Sequence, residues 1–583
     1  MVNSQNRRAL ARKFVMHWAF AVALLVAALI RCSVFLQIPA ERSLANLPFL
    51  QTLRDHLLEY AWFTTLKPPL AYLVQGLASK FVVAEAIVAY NLLLIIIYVL
   101  DLVAAVLIYV SALQLRVNRF LAATVICAYS ISYLPLEQWS GGFHYDGYTL
   151  FFTSLFTFSI CRFLIVQSKI NIAFLSAATC LLVAHSTVNA LVAPLTAVFT
   201  VIVVGRNARL QWRRVAHQIS MVAIPPMLVV LAIICKNYVV AKVPATSNLG
   251  GVAAMMVVQR AVGYDKAKLR AVVMEADAPQ WYLWCFDEAL MERPKYAAYP
   301  GADFMWMAAA SGICYPWANE GDQYWPHDFR PIYQKLRELG ENEYAAIVRL
   351  DVIDSRERQW LFRVFGPEQS ARWIGLYGNV SLAVFRRFVF THPLLYLKAV
   401  RILHSDFISG AQFPGRLESP NVVRFPELEH LRYLIIPAGK LYEVIVRTGY
   451  LLCVFGWVYM VAMVARSSRI LRKRNFEPFF RLNNWASGFN HALEKRFGIS
   501  VKWQSVSVVP SMRAAFIILS IPCLLLSAIF SGIVGGENFR YFYQITPNLM
   551  LVSLLCLDRF LRSVKFIRTG FPSGGVDVRT ETR

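Results

Sequence analysis

Long apolar segments separated by polar connections dominate the hydrophobic pattern of this chain. A bilayer-spanning helix needs about 20 predominantly apolar residues, because its backbone polar groups must all be satisfied within the segment. About ten segments approach that length, and they fall near 14–37, 84–113, 120–136, 148–166, 171–187, 190–205, 218–237, 446–465, 514–534 and 545–560. The pattern therefore predicts an all-α polytopic membrane protein.

The spans divide the chain into two membrane modules separated by one long connection. The first module covers residues 1–240 and contains a first outer connection at 38–83. Residues 241–435, between spans seven and eight, are enough for a domain and predict a mixed α-helical unit outside the membrane. The second module covers residues 436–565 with a basic linker at 466–513, and residues 566–583 form a polar tail.

Composition and charge place this protein in the membrane and orient it there. The chain is 57% hydrophobic and only 16% charged, whereas soluble domains carry about 25% charged residues. The net charge is +24, and nearly all of that excess lies in the segments that alternate onto the side of the N-terminus. Since positive segments stay in the cytoplasm, both termini are expected there, in a bacterial inner membrane. No groove-reading motif accompanies the charge, so nucleic-acid binding is not expected.

The first outer connection carries the most chemistry. Its acids are Glu41, Asp55 and Glu59, and its bases include Arg42 and Lys67. The prolines that follow Lys67 fix the backbone, so this cation is held where the chain meets the membrane and suits an anionic headgroup. Helical spacing of apolar residues over 50–63 predicts a helix on the membrane surface, with Asp55 and Glu59 on one face.

The other outer connections add polar and aromatic candidates. The connection before span four holds His144 and Asp146, which suit sugar or metal binding or serve as a plain polar link. In the long outer region, Trp317 and Trp325 either stack on sugar rings or pack the domain's own core. Cys285 and Cys314 in that region form a disulfide or remain two free thiols. Residues 387–402 have the pattern of an amphipathic interfacial helix started by His392-Pro393.

Polar side chains also occur inside the predicted spans. Arg31 lies near the outer end of span one, where a charge either snorkels towards water or faces a polar cavity, and snorkelling is the expectation. Asp101 in span two is either a helix-packing contact or part of a polar cavity. The polar run that begins at His185 indicates an internal cavity.

Three patches together resemble a known family, the C-type (GT-C) glycosyltransferases, above all the lipid A aminoarabinose transferases and protein O-mannosyltransferases. The patches read Pro39-Ala40-Glu41-Arg42 after span one, Lys67-Pro68-Pro69-Leu70 with Tyr72 before span two, and GENFRYFYQITP before the last span. They cover about a tenth of the chain. The family's leading acid is usually an aspartate, and Ala40 stands where an Asp-Glu pair would begin, so a changed or lost activity is one reading.

The resemblance implies transfer of a sugar from a polyprenyl-phosphate donor to an outer glycolipid, polysaccharide or protein. Such transfer needs a carboxylate to accept the acceptor's proton and cations to stabilise the departing phosphate. Glu41 is the expected base, with Asp55 and Glu59 as alternatives. The expected phosphate ligands are Lys67, Arg540 and Arg42, and the expected substrate contacts are Tyr72, His144, Asp146, Glu537, Tyr541, Trp317 and Trp325.

The cofactor and two other function classes stay open. No His/Cys ligand spacing predicts a structural zinc, and a Lys–Arg clamp could serve without metal, although His144 and Asp146 could hold a divalent ion. A transporter or flippase of lipid-linked glycans would explain Arg31, Asp101 and His185, but repeated halves are absent. An O-antigen-type ligase or polymerase would use residues of the long outer region.

Overall fold

The computed structural model describes most of the apolar segments and part of the outer region. It describes residues 18, 20–33, 55–63, 69–81, 86–132, 146–207, 210–247, 249–263, 265–283, 367–409, 432–467, 510–533 and 544–563. Within these ranges every regular element is an α-helix, which confirms the predicted all-α class.

The first membrane module supplies helices α1 to α9. They are α1 Phe20–Ser33, α2 Leu57–Phe63, α3 Leu70–Phe81, α4 Ala86–Gln114, α5 Arg119–Ile131, α6 Asp146–Ile165, α7 Lys169–His185, α8 Asn189–Asn207 and α9 Trp212–Ala241.

The outer region and the second module supply α10 to α17. They are α10 Leu249–Ala261, α11 Lys266–Glu275, α12 Gln280–Leu283, α13 Pro367–Thr391, α14 Pro393–Ser409, α15 Arg432–Ser467, α16 Pro510–Gly532 and α17 Thr546–Ser563.

Four helices in the described part are long and apolar enough to cross a bilayer. These segments are Leu92–Gln114, Tyr148–Ile165, Trp212–Ala241 and Ile436–Val458, and shorter apolar helices accompany them at Phe20–Ser33, Arg119–Ile131, Lys169–His185, Asn189–Gly205 and Ala514–Ile529. Such helices are compatible with a membrane protein. The count of about ten spans and the separate outer domain stay predictions.

The spans pack through one continuous apolar core, while α9 keeps an apolar face outside it. Small residues such as Ala104, Ala105 and Ala112 are buried along α4, where α6 packs closely against it. On α9, Met227 and Leu231 remain largely exposed. An apolar side chain exposed in mid-span is stable when it faces lipid rather than water, so this face of α9 suits the hydrocarbon of a bilayer.

Helices α10, α13 and α14 form a layer beside the C-terminal ends of α9 and α16. Helix α10 packs between α13 and α14, and α13 also contacts α9. A Cβ atom placed on Gly375 of α13 would lie 2.9 Å from the carbonyl oxygen of Ala241, the last residue of α9. Helix α14 begins at Pro393, as its sequence predicts, but residues 387–391 belong to the end of α13 and not to the same helix.

The crossing of α10 and α13 depends on one glycine more than on its neighbour. A Cβ atom on Gly251 would clash with the carbonyl oxygen of Gly378, whereas a Cβ on Gly250 meets nothing within 4 Å. We expect Gly251→Ala to destabilise the protein by about 1–3 kcal/mol, because the two backbones must separate. Gly250→Ala should be neutral or stabilising by up to ~1 kcal/mol.

Thermal unfolding of the two purified variants in the same detergent measures this difference. The neighbouring alanine controls for composition and helix propensity, since both sites lie in the first turn of α10. Equal unfolding midpoints for the two variants would show that the close crossing is not maintained in solution.

Candidate functional site

A buried ion pair joins three of the helices. Arg31 of α1 donates from Nε to Oδ2 of Asp101 at 3.1 Å and from Nη2 to the same oxygen. The hydroxyl of Tyr129 on α5 donates to Oδ1 of Asp101. Arg31 also donates from Nη1 to the carbonyl oxygens of Ser130 at 2.6 Å and Ala27 at 3.0 Å. Both oxygens of the carboxylate are therefore hydrogen-bonded.

The expectation that Arg31 snorkels is wrong. Its side chain is 2% exposed, and that of Asp101 is fully buried. The physical reason is that all three nitrogen atoms of the guanidinium find acceptors inside the bundle. These acceptors are the Asp101 carboxylate and the carbonyl oxygens of Ala27 and Ser130, and they replace hydrogen bonds to water. For Asp101, the helix-packing alternative is the one observed.

A second set of buried polar groups lies where α6, α8 and α17 begin and α7 ends. Oγ1 of Thr149 lies 2.7 Å from Nε2 of His185. Nδ2 of Asn189 donates to Oε1 of Gln544 at 2.7 Å, and Oγ of Ser186 donates to the same oxygen at 3.2 Å. The first contact joins α6 to α7, and the other two join the α7–α8 connection and α8 to Gln544, which lies just before α17.

The two sets adjoin each other through tyrosine. The ring centroids of Tyr129 and Tyr442 are 5.3 Å apart, and the hydroxyl of Tyr442 donates to Oγ1 of Thr546 at 3.4 Å. Thr546 is the first residue of α17 and follows Gln544 by two positions. We name these residues together the polar belt: Arg31, Asp101, Tyr129, Thr149, His185, Ser186, Asn189, Tyr442, Gln544 and Thr546.

The first outer connection is anchored on the bundle through helix α2. Leu57 is buried against Gly76 of α3, where a Cβ atom would clash with the Leu57 side chain. The ammonium group of Lys236, near the C-terminal end of α9, donates to the carbonyl oxygen of Ala61 at 3.4 Å. Helix α2 also packs against α13, so three other helices determine its position.

Two acids of this connection, Asp55 and Glu59, are exposed. Oε2 of Glu59 lies 3.2 Å from Nδ1 of His56. Helix α2 begins at Leu57, so Asp55 precedes it and does not share a face of this helix with Glu59 as predicted. Leu58 is 78% exposed, which leaves only part of the predicted apolar face of α2 packed on the protein.

Helix α3 begins directly after Pro69, and the sequence pattern did not predict it as a separate helix. The carbonyl oxygen of Pro69 accepts from the backbone N–H of Leu73 at 2.9 Å, and α3 follows from Leu70. Tyr72, in the first turn of α3, is only 5% exposed. A substrate could reach its side chain only from within the bundle, so its predicted contact with substrate stays a prediction.

Most of the predicted site residues lie outside the described residues. Asp146 is the first residue of α6. The residues that lie outside are Glu41, Arg42, Lys67, His144, Cys285, Cys314, Trp317, Trp325, Glu537, Arg540 and Tyr541. The structure nevertheless describes residues adjacent in sequence to four of them, since α3 begins three residues after Lys67 and Gln544 follows Glu537, Arg540 and Tyr541.

Sequence reasoning missed two contributors to these contacts. Lys236 has the pattern of an ordinary cation at the end of a span. Gln544 belongs to the GENFRYFYQITP patch, but nothing in that patch indicates that its side chain faces Ser186 and Asn189. In the described residues no group of three or more His, Cys, Asp or Glu side chains could hold a metal ion.

Comparisons with known proteins identify no relative. A scan against protein-family models, a search of curated proteins and a search of solved structures each found no match.

Proposed function

We propose that this protein is a membrane glycosyltransferase that transfers a sugar from a polyprenyl-phosphate donor to an acceptor hydroxyl at the outer face of the membrane. The acceptor class is a glycolipid, a polysaccharide or a protein. The observation that carries the proposal is the anchoring of α2 on α3, α9 and α13, with the exposed acids Asp55 and Glu59, a few residues before Lys67 in the sequence. Transfer from a charged donor at the membrane surface needs acids and cations near one another.

In this proposal, the chemistry is divided between one carboxylate and a set of cations. Glu41 accepts the proton of the acceptor hydroxyl as that oxygen attacks the anomeric carbon, and the bond from that carbon to the phosphate oxygen breaks. Lys67, Arg540 and Arg42 stabilise the negative charge on the departing polyprenyl phosphate. Asp55 and Glu59 are the alternative bases, and a divalent cation at His144 and Asp146 stays an open part of the proposal.

The finer topology belongs to the same proposal. It comprises about ten spans, both termini in the cytoplasm, and residues 241–435 as a unit inserted on the outer side. The described contacts agree with this alternation, because Asn118 and Asp558, both at predicted inner ends, form a hydrogen bond of 3.1 Å. The contacts of Gln544 with Ser186 and Asn189 bring together predicted outer ends.

A flippase of polyprenyl-linked glycans is the second candidate, and the polar belt is the observation that favours it. Buried ionisable residues within spans often mark a substrate or proton pathway. In the described structure, however, Arg31 and Asp101 satisfy each other and nearby backbone carbonyls. An ion pair closed in this way supports a structural role better than a pathway.

Native mass spectrometry of the purified full chain tests donor binding. The protein is expected to retain a polyprenyl-phosphate sugar added in detergent, and to retain far less of a neutral polyprenol of the same length, because the phosphate provides the main contact. Equal retention of the two lipids would contradict a phosphate site. Loss of the sugar from the bound lipid on addition of acceptor would support the enzyme over the flippase.

A further inference from the structure

The corner between α13 and α14 presents a concentrated apolar surface. Phe390 is 84% exposed and Leu394 is 80% exposed. Pro393, Leu395 and Leu397 are exposed beside them. We name these five residues the apolar corner. Large apolar side chains grouped on the surface of a protein mark a site of contact with a partner or a membrane.

Cations flank the apolar corner on both helices. On α14, the residues Leu394, Leu397, Lys398 and Arg401 recur at helical spacing and are all exposed, so they share one face. This face is apolar next to the corner and cationic about one turn, roughly 6 Å, further along. On α13, the exposed Arg386 and Arg387 precede Phe390 in the same way, and no acid occurs between 386 and 401.

The corner is fixed at the level where the spans end. The hydroxyl of Tyr396, on the other side of α14, donates to the carbonyl oxygen of Gly532, the last residue of α16, at 3.2 Å. Nδ1 of His404 lies 3.2 Å from Oγ of Ser531. At its other end, α13 contacts the last residue of α9 through Gly375. These two helices therefore lie across the outer ends of spans.

A hydrogen bond to α11 is made at the bend between α13 and α14. Nε2 of His392, between α13 and α14, donates to Oε2 of Glu275 at 2.8 Å. This hydrogen bond and the nearby charge of Arg387 lower the pKa of the Glu275 carboxyl. Glu275 is therefore ionised at neutral pH and accepts the hydrogen bond from His392. This contact connects the bend to α11.

We propose that the apolar corner inserts into the outer leaflet of the bilayer, with the flanking cations in contact with anionic lipid headgroups. Apolar residues at the tip with Lys and Arg about one turn away match the depth profile of a bilayer, in which acyl chains lie beneath charged phosphates. Binding to a soluble partner would not require cations about one turn from the apolar residues on both helices, whereas insertion into a bilayer does. The corner thus anchors the outer layer to the membrane beside the spans.

Site-specific photo-crosslinking of the full chain in liposomes tests this assignment. Benzoylphenylalanine is introduced in place of Leu394, with Leu231, exposed in mid-span on α9, as the lipid control and Lys268, exposed on α11, as the water control. We expect lipid adducts at positions 394 and 231 and none at 268. Absence of lipid adducts at 394, with adducts at 231, would overturn the proposal, and adducts to a second copy would make the corner a subunit interface instead.

The contribution of the cations is measured in the same experiment. In liposomes that mix phosphatidylglycerol with phosphatidylcholine, adducts at 394 should be enriched in the anionic lipid above its share of the bilayer. Lys398→Gln with Arg401→Gln should reduce that enrichment by about fivefold per cation, the equivalent of about 1 kcal/mol each. Adducts at 231 serve as the folding control. Wild-type adducts at the bulk lipid ratio would contradict the headgroup contact.

Discussion

Replacing Asp101 by leucine is expected to destabilise the protein by about 3–5 kcal/mol, because it leaves the buried guanidinium of Arg31 without its counter-charge. Tyr129 also loses its acceptor in this variant. Denaturant or thermal unfolding of the purified protein in detergent measures the effect.

Two further variants separate the ion pair from the hydrogen bond. Tyr129→Phe removes only the phenol's contact with the carboxylate and should cost about 1.5–3 kcal/mol. Combining Arg31→Met with Asp101→Leu removes both charges and should recover most of the stability lost in the single variant. The Arg31→Met single variant completes the comparison. If the loss of stability in the double variant equalled the sum of the losses in Arg31→Met and Asp101→Leu, the two residues would not be coupled.

Glu41→Gln is expected to keep donor affinity and lower turnover by roughly 10²–10⁴-fold, the usual contribution of a general base. The amide preserves the size of the side chain while removing the proton acceptor. Lys67→Ala should instead weaken donor binding and turnover together, by about 2–4 kcal/mol, because the phosphate is charged before and after transfer. Lys67→Arg should restore only part of the activity, since the proline corner fixes the position of the cation.

The alternative acids provide matched controls for Glu41. Asp55→Asn and Glu59→Gln each remove a charge from an exposed side chain, just before α2 and within α2 respectively. We expect either change to have a small effect on turnover. Full activity in Glu41→Gln with loss in one of these two would move the base within the same connection. Full activity in all three variants would exclude the first outer connection as the catalytic site.

Part of the local structure could be predicted from the sequence, whereas the polar contacts could not. The start of α14 at Pro393 follows from the backbone restraint of proline, and the structure confirms it. Helix α3 obeys the same restraint after Pro69 but was not predicted, because its 12 residues lie inside what reads as a polar outer connection. Arg31 was assigned wrongly because its partner lies 70 residues away, and no pattern in a single sequence indicates which polar residues of different spans face each other.

The same limit applies to the candidate site. His185 and its polar neighbours are visible in the sequence as an unusual run within an apolar segment. Two of these neighbours, Ser186 and Asn189, contact Gln544. Gln544 is 355 residues from Asn189 in the sequence, and only the packing of α17 against the other helices brings the two together. Lys236 likewise reaches α2 across 175 residues. The chemistry of each residue is readable, but its neighbours depend on the whole bundle.

The measurement that tests the proposed function most directly is release of free polyprenyl phosphate by the wild-type protein. Purified protein in liposomes receives a polyprenyl-phosphate sugar with a radiolabelled lipid and a mixture of envelope glycans, lipids and proteins as acceptors. A glycosyltransferase converts the labelled lipid to free polyprenyl phosphate, and the Glu41→Gln variant does so at least 10²-fold more slowly. Movement of the intact lipid-linked sugar between leaflets, with no free polyprenyl phosphate, would contradict the enzyme and identify a flippase.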